Sequence, residues 1–160
     1  MKLIKPQPFR QVITLGVLAG MRASSAPLIA NRFLSYYYSP NLSKSPLRFL
    51  ESRWFGIAIR VMAAGELIAD KLPATPDRTS VPGITGRCIS GALTGAGIYK
   101  ASGNNAVNGA LLGLVAALGA TFGSYALRKT IAERFDILDP LIGAAEDVTV
   151  IAAGLVIGSY

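Results

Sequence analysis

The sequence predicts an all-α protein: a polytopic helical bundle in a membrane. Three observations carry that prediction. Half of the 160 residues are apolar and 16% are charged, against roughly a quarter charged in ordinary soluble domains. The run Ala101–Leu127 holds no charged residue and exceeds the roughly 20 residues that a bilayer core requires. Gly and Ala recur at helical spacing in several segments, as they do where helices approach closely in lipid. The length suits one unit, so residues 1–160 read as a single integral membrane domain of about five helices.

The first helix is expected from about Pro8 to Tyr36, kinked or broken near Pro27, because an interior proline removes a backbone donor and clashes with the preceding turn. The polar link YYYSPNLSKSP follows, its tyrosines suited to a membrane interface. The second helix starts with Ser45 as N-cap and Pro46 at its first position, and runs to about Leu72 before Pro73. The third, about Gly83 to Lys100, is short and glycine-rich, and the fourth is the charge-free run from Ala101 to Leu127. The fifth begins at Asp139-Pro140 and continues to the C-terminus. Lys2, Lys5 and Arg10 precede an apolar run, but Arg22 interrupts it and no cleavage site stands out, so this run reads as a retained anchor.

Five spans would put the N-terminus, the 70–87 loop and the 128–139 loop on one side. The excess of Lys and Arg there points to the cytoplasm, in a cell (inner) membrane crossed several times. A faint echo pairs ANRF (30–33) with AERF (132–135), and AAGELIAD in the second helix with GAAEDVTV in the fifth. As a repeat it would make the two helix pairs inverted about the third, a transporter-like plan.

The net charge of +7 first suggests nucleic acid, but the bases are scattered at the ends of apolar segments. That placement suits lipid headgroups, and no nucleic-acid partner is expected. There is no His, and no nucleophile–base pair or metal cluster stands out, so the chain reads as neither an enzyme nor a holder of metal or cofactor. The single Cys88 reads as a buried, inert thiol. Gly16 and Gly20, Gly91 and Gly95, and Gly109, Gly113, Ala116, Ala120 and Gly123 line three helix faces. These would pack the bundle, and the same physics would serve a homo-oligomer.

Charges inside apolar segments are the candidate site. Arg22, Arg60, Glu66, Glu146 and Asp147 stand there, each costing about 2.5–3.5 kcal/mol at a helix centre on insertion scales. Glu66 and Asp70 share a helix face, while Glu146 and Asp147 point about 100° apart. Arg22 and Arg87 are the expected bases for these acids, with Glu66 and Arg22 as partners, since neither is tolerable alone in hydrocarbon. The stretch Gly65–Arg87 adds Lys71, Asp77, Arg78 and three prolines. Stiff polar backbone of that kind belongs where it covers the bundle or lines a cavity.

GMRASSAP (20–27), GELIADKLPATPDRT (65–79), Gly86-Arg87 and AAEDVTVI (144–151) together resemble a bacterial family of small membrane proteins known only as a domain of unknown function. The resemblance covers most of the chain and implies a multi-pass membrane protein; it supplies no reaction and no substrate. The residues themselves favour a transporter- or channel-like protein for a small solute or ion, with its site at Arg22, Glu66, Asp70, Lys71, Arg78, Arg87, Glu146 and Asp147. The alternative is a non-transporting structural or assembly subunit, whose charges lock the fold.

Overall fold

The first apolar segment does not run straight: it folds back on itself. In the computed structural model, residues 7–69 and 81–135 are described. They form α1 (Pro8–Met21), α2 (Ser25–Tyr36), α3 (Pro40–Ser43), a 3₁₀ helix (Pro46–Glu51), α4 (Arg53–Ala69), α5 (Val81–Ala101) and α6 (Ala106–Phe135), with no strand among the described residues. The all-α class stands. The count of about five helices does not, because two of the expected segments are divided. The expected fifth helix lies outside the described residues.

The reversal is legible from what touches what. Gly16 of α1 sits against Gly113 and Ala116, and Gly20 against Ala117 and Ala120, so α1 runs parallel to α6. Leu34 of α2 lies beside Gly97, and the Ser39 hydroxyl donates to the Ala101 carbonyl at 2.6 Å. The chain has therefore returned to the end of the bundle where α1 began. The turn is Arg22–Ser24, with Arg22 in an extended conformation (φ −146°, ψ 120°). Pro27 is the third residue of α2, where a missing N–H is tolerated, and its ring excludes a continuous helix through residue 23. The expected break near Pro27 is thus displaced to just before it.

With 14 and 12 residues, α1 and α2 are about 21 and 18 Å long. A first segment that was only kinked would have carried the chain across the bundle; the hairpin brings it back. Pro8, the 37–45 link and the turn after α5 consequently share one end, while Ala69 and Val81 lie at the other. The grouping of the N-terminus with the 70–87 loop assumed five spans, with the first segment crossing once, and the reversal removes that assumption.

Serine caps divide the second expected helix. Ser45 opens the 3₁₀ helix by accepting from Leu47 N–H at 3.3 Å. Ser52 then turns extended (ψ 147°) and caps α4 by accepting from Phe55 N–H at 3.1 Å. Asn31 ties α2 to this junction, donating to the carbonyls of Leu50 at 2.7 Å and Ser52 at 3.1 Å. The boundary between α5 and α6 also moves. Gly103 adopts φ +82°, and the N–H groups of Asn104 and Gly103 bond the carbonyls of Tyr99 and Lys100, a Schellman end. Asn105 then caps α6 through Val107 N–H at 2.8 Å.

Helices α5 and α6 meet backbone to backbone. Gly91 and Gly95 face Gly113 and Gly109, and a Cβ at any of the four would overlap the opposite chain. Leu15, Leu34, Leu42, Leu50 and Ile98 fill the remaining core at 2% exposure or less. The faces read from Gly16, Gly20, Gly91, Gly95, Gly109 and Gly113 thus pack within the chain. Gly123 does not join them: a Cβ there, or at Gly119, meets nothing within 4 Å among the described residues. Cys88 is half-buried rather than fully enclosed. Gly95→Val or Gly113→Val should each lower stability by about 1–3 kcal/mol or more, since backbone cannot rotate away as a side chain does. Gly119→Ala should hold or raise it. Thermal unfolding of the three purified variants in detergent checks this; equal losses at all three positions would contradict the packing.

Candidate functional site at the hairpin tip

A helix that reverses leaves backbone groups without their helical partners. Here they are met by side chains from four helices. Ala23 and Ser24 would have donated one turn back in a continuous helix. Instead their N–H groups donate to the two carboxylate oxygens of Glu66, at 3.1 Å and 3.2 Å. The Ser24 hydroxyl makes a further short hydrogen bond to the same carboxylate. An acid at the start of α2 also suits the positive end of that helix.

The carbonyls are served as well. The Thr121 hydroxyl of α6 lies 3.2 Å from Gly20 O and 2.8 Å from Ala117 O of its own helix, its one proton shared between them. Pro27 has no N–H to offer Ala23 O, and Ser90 of α5 donates to that oxygen. Ser25 spans the turn itself, its hydroxyl lying 2.8 Å from Leu18 O and 2.7 Å from Arg22 O. Ser24 is fully buried and Ser25 nearly so.

Glu66 reaches the tip because α4 turns one stripe inward. Gly56 and Ile59 are buried, Ala63 and Glu66 half-buried, spaced as one helix face. Gly56 is required there, since a Cβ would strike the Asn31 side chain. Arg60 faces outward and is exposed, so it takes no part.

Of the residues expected in the site, Arg22, Glu66 and Arg87 are described. Arg22 is half-buried and immediately precedes the amides that Glu66 holds. Arg87, 8% exposed, lies one helical turn from Ser90 on the same side of α5. Both arginines have interactions of their own. The expected Glu66–Arg22 pairing takes a different form: the hydrogen bonds described for the carboxylate go to the two residues after Arg22. Asp70, Lys71, Arg78, Glu146 and Asp147 lie outside the described residues. Ser24, Ser25, Ser90 and Thr121 were not singled out from the sequence. The signal that could have found them is a hydroxyl on the inward, small-residue face of an apolar helix.

The fold defines an all-helical protein organised around an internally capped helical hairpin. A family model described as "Domain of unknown function (DUF4126)" matches residues 10–158, and the chain belongs to that family. No curated protein and no solved structure matches the chain.

Hydrogen bonds to a charged group contribute about 1.5–3 kcal/mol each. Glu66→Gln should therefore destabilise by about that amount or more, because its amide nitrogen cannot accept from both backbone donors. Ser24→Ala should cost less, since it leaves the amide bonds intact. The double mutant should fall short of the sum by about 0.5 kcal/mol or more. Denaturation of the four proteins checks this; strict additivity would mean that Ser24 and Glu66 act independently.

Proposed function

We propose that the protein is a multi-pass membrane protein of transporter- or channel-like plan, in which the hairpin tip is the site for a small solute or ion. The observation that carries the reading is the tip itself: irregular, half-buried backbone packed among apolar helices, bounded by Arg22, Glu66 and Arg87. In lipid such backbone is tolerated only where protein or a cavity surrounds it. Breaks of this kind are where secondary transporters bind substrates and coupling ions.

The membrane placement is supported by the facing of α4 and α6, which is opposite to that of helices in a soluble bundle. The inner face of α6 carries Gly109, Gly113, Ala117 and Thr121, while Val107, Leu111, Val115, Phe122 and Leu127 are exposed at 53–64%. On α4, Trp54, Val61, Met62 and Ile68 are exposed while Gly56 and Glu66 turn inward. The segment Ala106–Leu127 is 22 residues long with mean hydropathy 1.7, and 17% of its most apolar window is buried. Large apolar side chains outside and small or polar ones inside suit lipid as the surrounding solvent. In that setting α1 and α2 form a re-entrant hairpin, each too short for a hydrocarbon core of about 30 Å.

A structural or assembly subunit is the second reading. It is favoured by the hydrogen bonds of Glu66, Ser90 and Thr121, which serve the tip from within the chain. Expression and flux separate the two. Wild type should remain with membranes through alkaline carbonate washing and, in liposomes, should pass a solute or ion from a broad panel. A folded Glu66→Asp variant should lose most of that flux under transport. Unchanged flux, or none from either protein, supports the structural role. In a Cys88→Ser background, Gln7→Cys and Ser43→Cys should label from one side and Val81→Cys from the other. Labelling of Gln7→Cys from the side of Val81→Cys would refute the re-entrant hairpin.

A further inference from the structure

We propose that a cavity at the opposite end of the bundle from Glu66 seats the headgroup of a phospholipid that carries both a phosphate and a primary ammonium, an ethanolamine headgroup. The inference rests on the membrane reading above. The cavity is an open cleft of about 440 Å³, lined by Ser35, Arg48, Phe49, Glu51 and Ser52, the first three of them exposed. It lies where the 3₁₀ helix passes the end of α2 and hands over to α4.

Local geometry puts two opposite charges into this one space. A 3₁₀ helix has three residues per turn, so Arg48 and Glu51, three apart, stand one above the other on the same face. The rise of roughly 2.0 Å per residue separates their backbones by about 6 Å. The 3₁₀ geometry follows from Pro46 and from the Ser45 and Ser52 caps at either end. An α-helix would rotate the two residues apart by about 60°. Arg48 and Glu51 form no ion pair with each other or with another described residue, although both line the cavity. An exposed guanidinium and a half-buried carboxylate on one face of the 3₁₀ helix complement a ligand with both signs. The phosphate goes to Arg48, which offers paired donors, and the ammonium goes to Glu51. Ser52 adds a hydroxyl, whose oxygen accepts from Phe55 N–H while its own proton can be donated to the phosphate. Ser35 is committed by its hydrogen bond to Glu51 O at 3.0 Å, which pins the 3₁₀ helix against α2.

The surroundings select a lipid over a free zwitterion. Phe49, in the cavity wall, is 44% exposed and stacks edge-on against Phe55 at 5.3 Å. Trp54 at 79%, Tyr36 at 64% and Tyr38 at 46% are exposed on the adjoining elements. Aromatic side chains gathered at one end of an apolar bundle mark the headgroup level of a bilayer. Arg32, Lys44 and Arg53 are exposed on the same elements. A purely anionic headgroup would leave Glu51 facing a like charge, and a trimethylammonium would offer it no hydrogen-bond donor.

Lipid retention reads the site directly. Full-length protein in nanodiscs of mixed phosphatidylethanolamine, phosphatidylcholine and phosphatidylglycerol would be released into detergent, and its retained lipids weighed by native mass spectrometry. The ethanolamine lipid should be retained about tenfold over the choline lipid, the value of one charge-assisted hydrogen bond. Glu51→Gln should bring ethanolamine and choline lipids to near parity. Arg48→Gln should lower retention of all three. Soluble glycerophosphoethanolamine should compete poorly, and efficient competition would overturn the lipid assignment. Equal retention of the three lipids by wild type, or preferences unchanged in both variants, would overturn the site. A chain that never enters the nanodisc would fail the membrane reading instead, which separates the two.

Discussion

The carboxylate of Glu66 on the amides of Ala23 and Ser24 is the interaction around which the rest of the molecule is arranged. A chain that reverses inside an apolar bundle gives up its helical hydrogen bonds, and a buried amide or carbonyl left unmet costs about 1–3 kcal/mol. The turn at Arg22–Ser24 therefore exists only because other helices bring polar atoms to it. That requirement sets the facing of α4, whose inward stripe ends in Glu66. It also sets the facing of α5, which turns Ser90 inward, and of α6, which turns Thr121 inward. Three helices thus turn a polar side chain toward one short turn.

Glycine makes the second half of this arrangement. The polar atoms reach the tip only if α5 and α6 lie close to each other and to α1. Gly91, Gly95, Gly109 and Gly113 permit that approach, and Gly16 and Gly20 admit α1 beside it. Hydroxyl side chains are short, and the Thr121–Gly20 contact at 3.2 Å leaves no room for a wider helix spacing. Small residues and short polar residues are thus one design, the first setting the distance that the second requires.

Much of the helical content was legible in the sequence, because apolar runs and glycine spacing report directly on helix and packing. The hairpin was not. The motif GMRASSAP contained every element of it: a charge, two serines with capping ability, and Pro27. However, proline at the third position of a helix and proline in mid-helix look alike until the start of that helix is known. The same ambiguity hid Ser52, a serine within an apolar pattern that reads as continuous, and Gly103-Asn104-Asn105, polar but uncharged. Glu66 stood out because its charge is isolated. Ser90 and Thr121 did not, because a hydroxyl in an apolar helix is commonplace and bonds its own backbone as readily as a neighbour's. Arg22, Glu66 and Arg87 were named from charge alone, yet backbone amides answer the acid, and no residue pattern announces a backbone donor.

The separation in sequence between the hairpin and its caps orders the assembly of the protein in time. The turn is made within the first 25 residues. Glu66 follows 42 residues after Ser24, Ser90 67 residues after Ala23, and Thr121 101 residues after Gly20. A chain emerging N-terminus first presents the reversal well before any of the three helices that complete it. Until Thr121 has been synthesised, the carbonyl of Gly20 must find another donor. The hairpin is thereby made before all three of its caps and is among the last parts to settle.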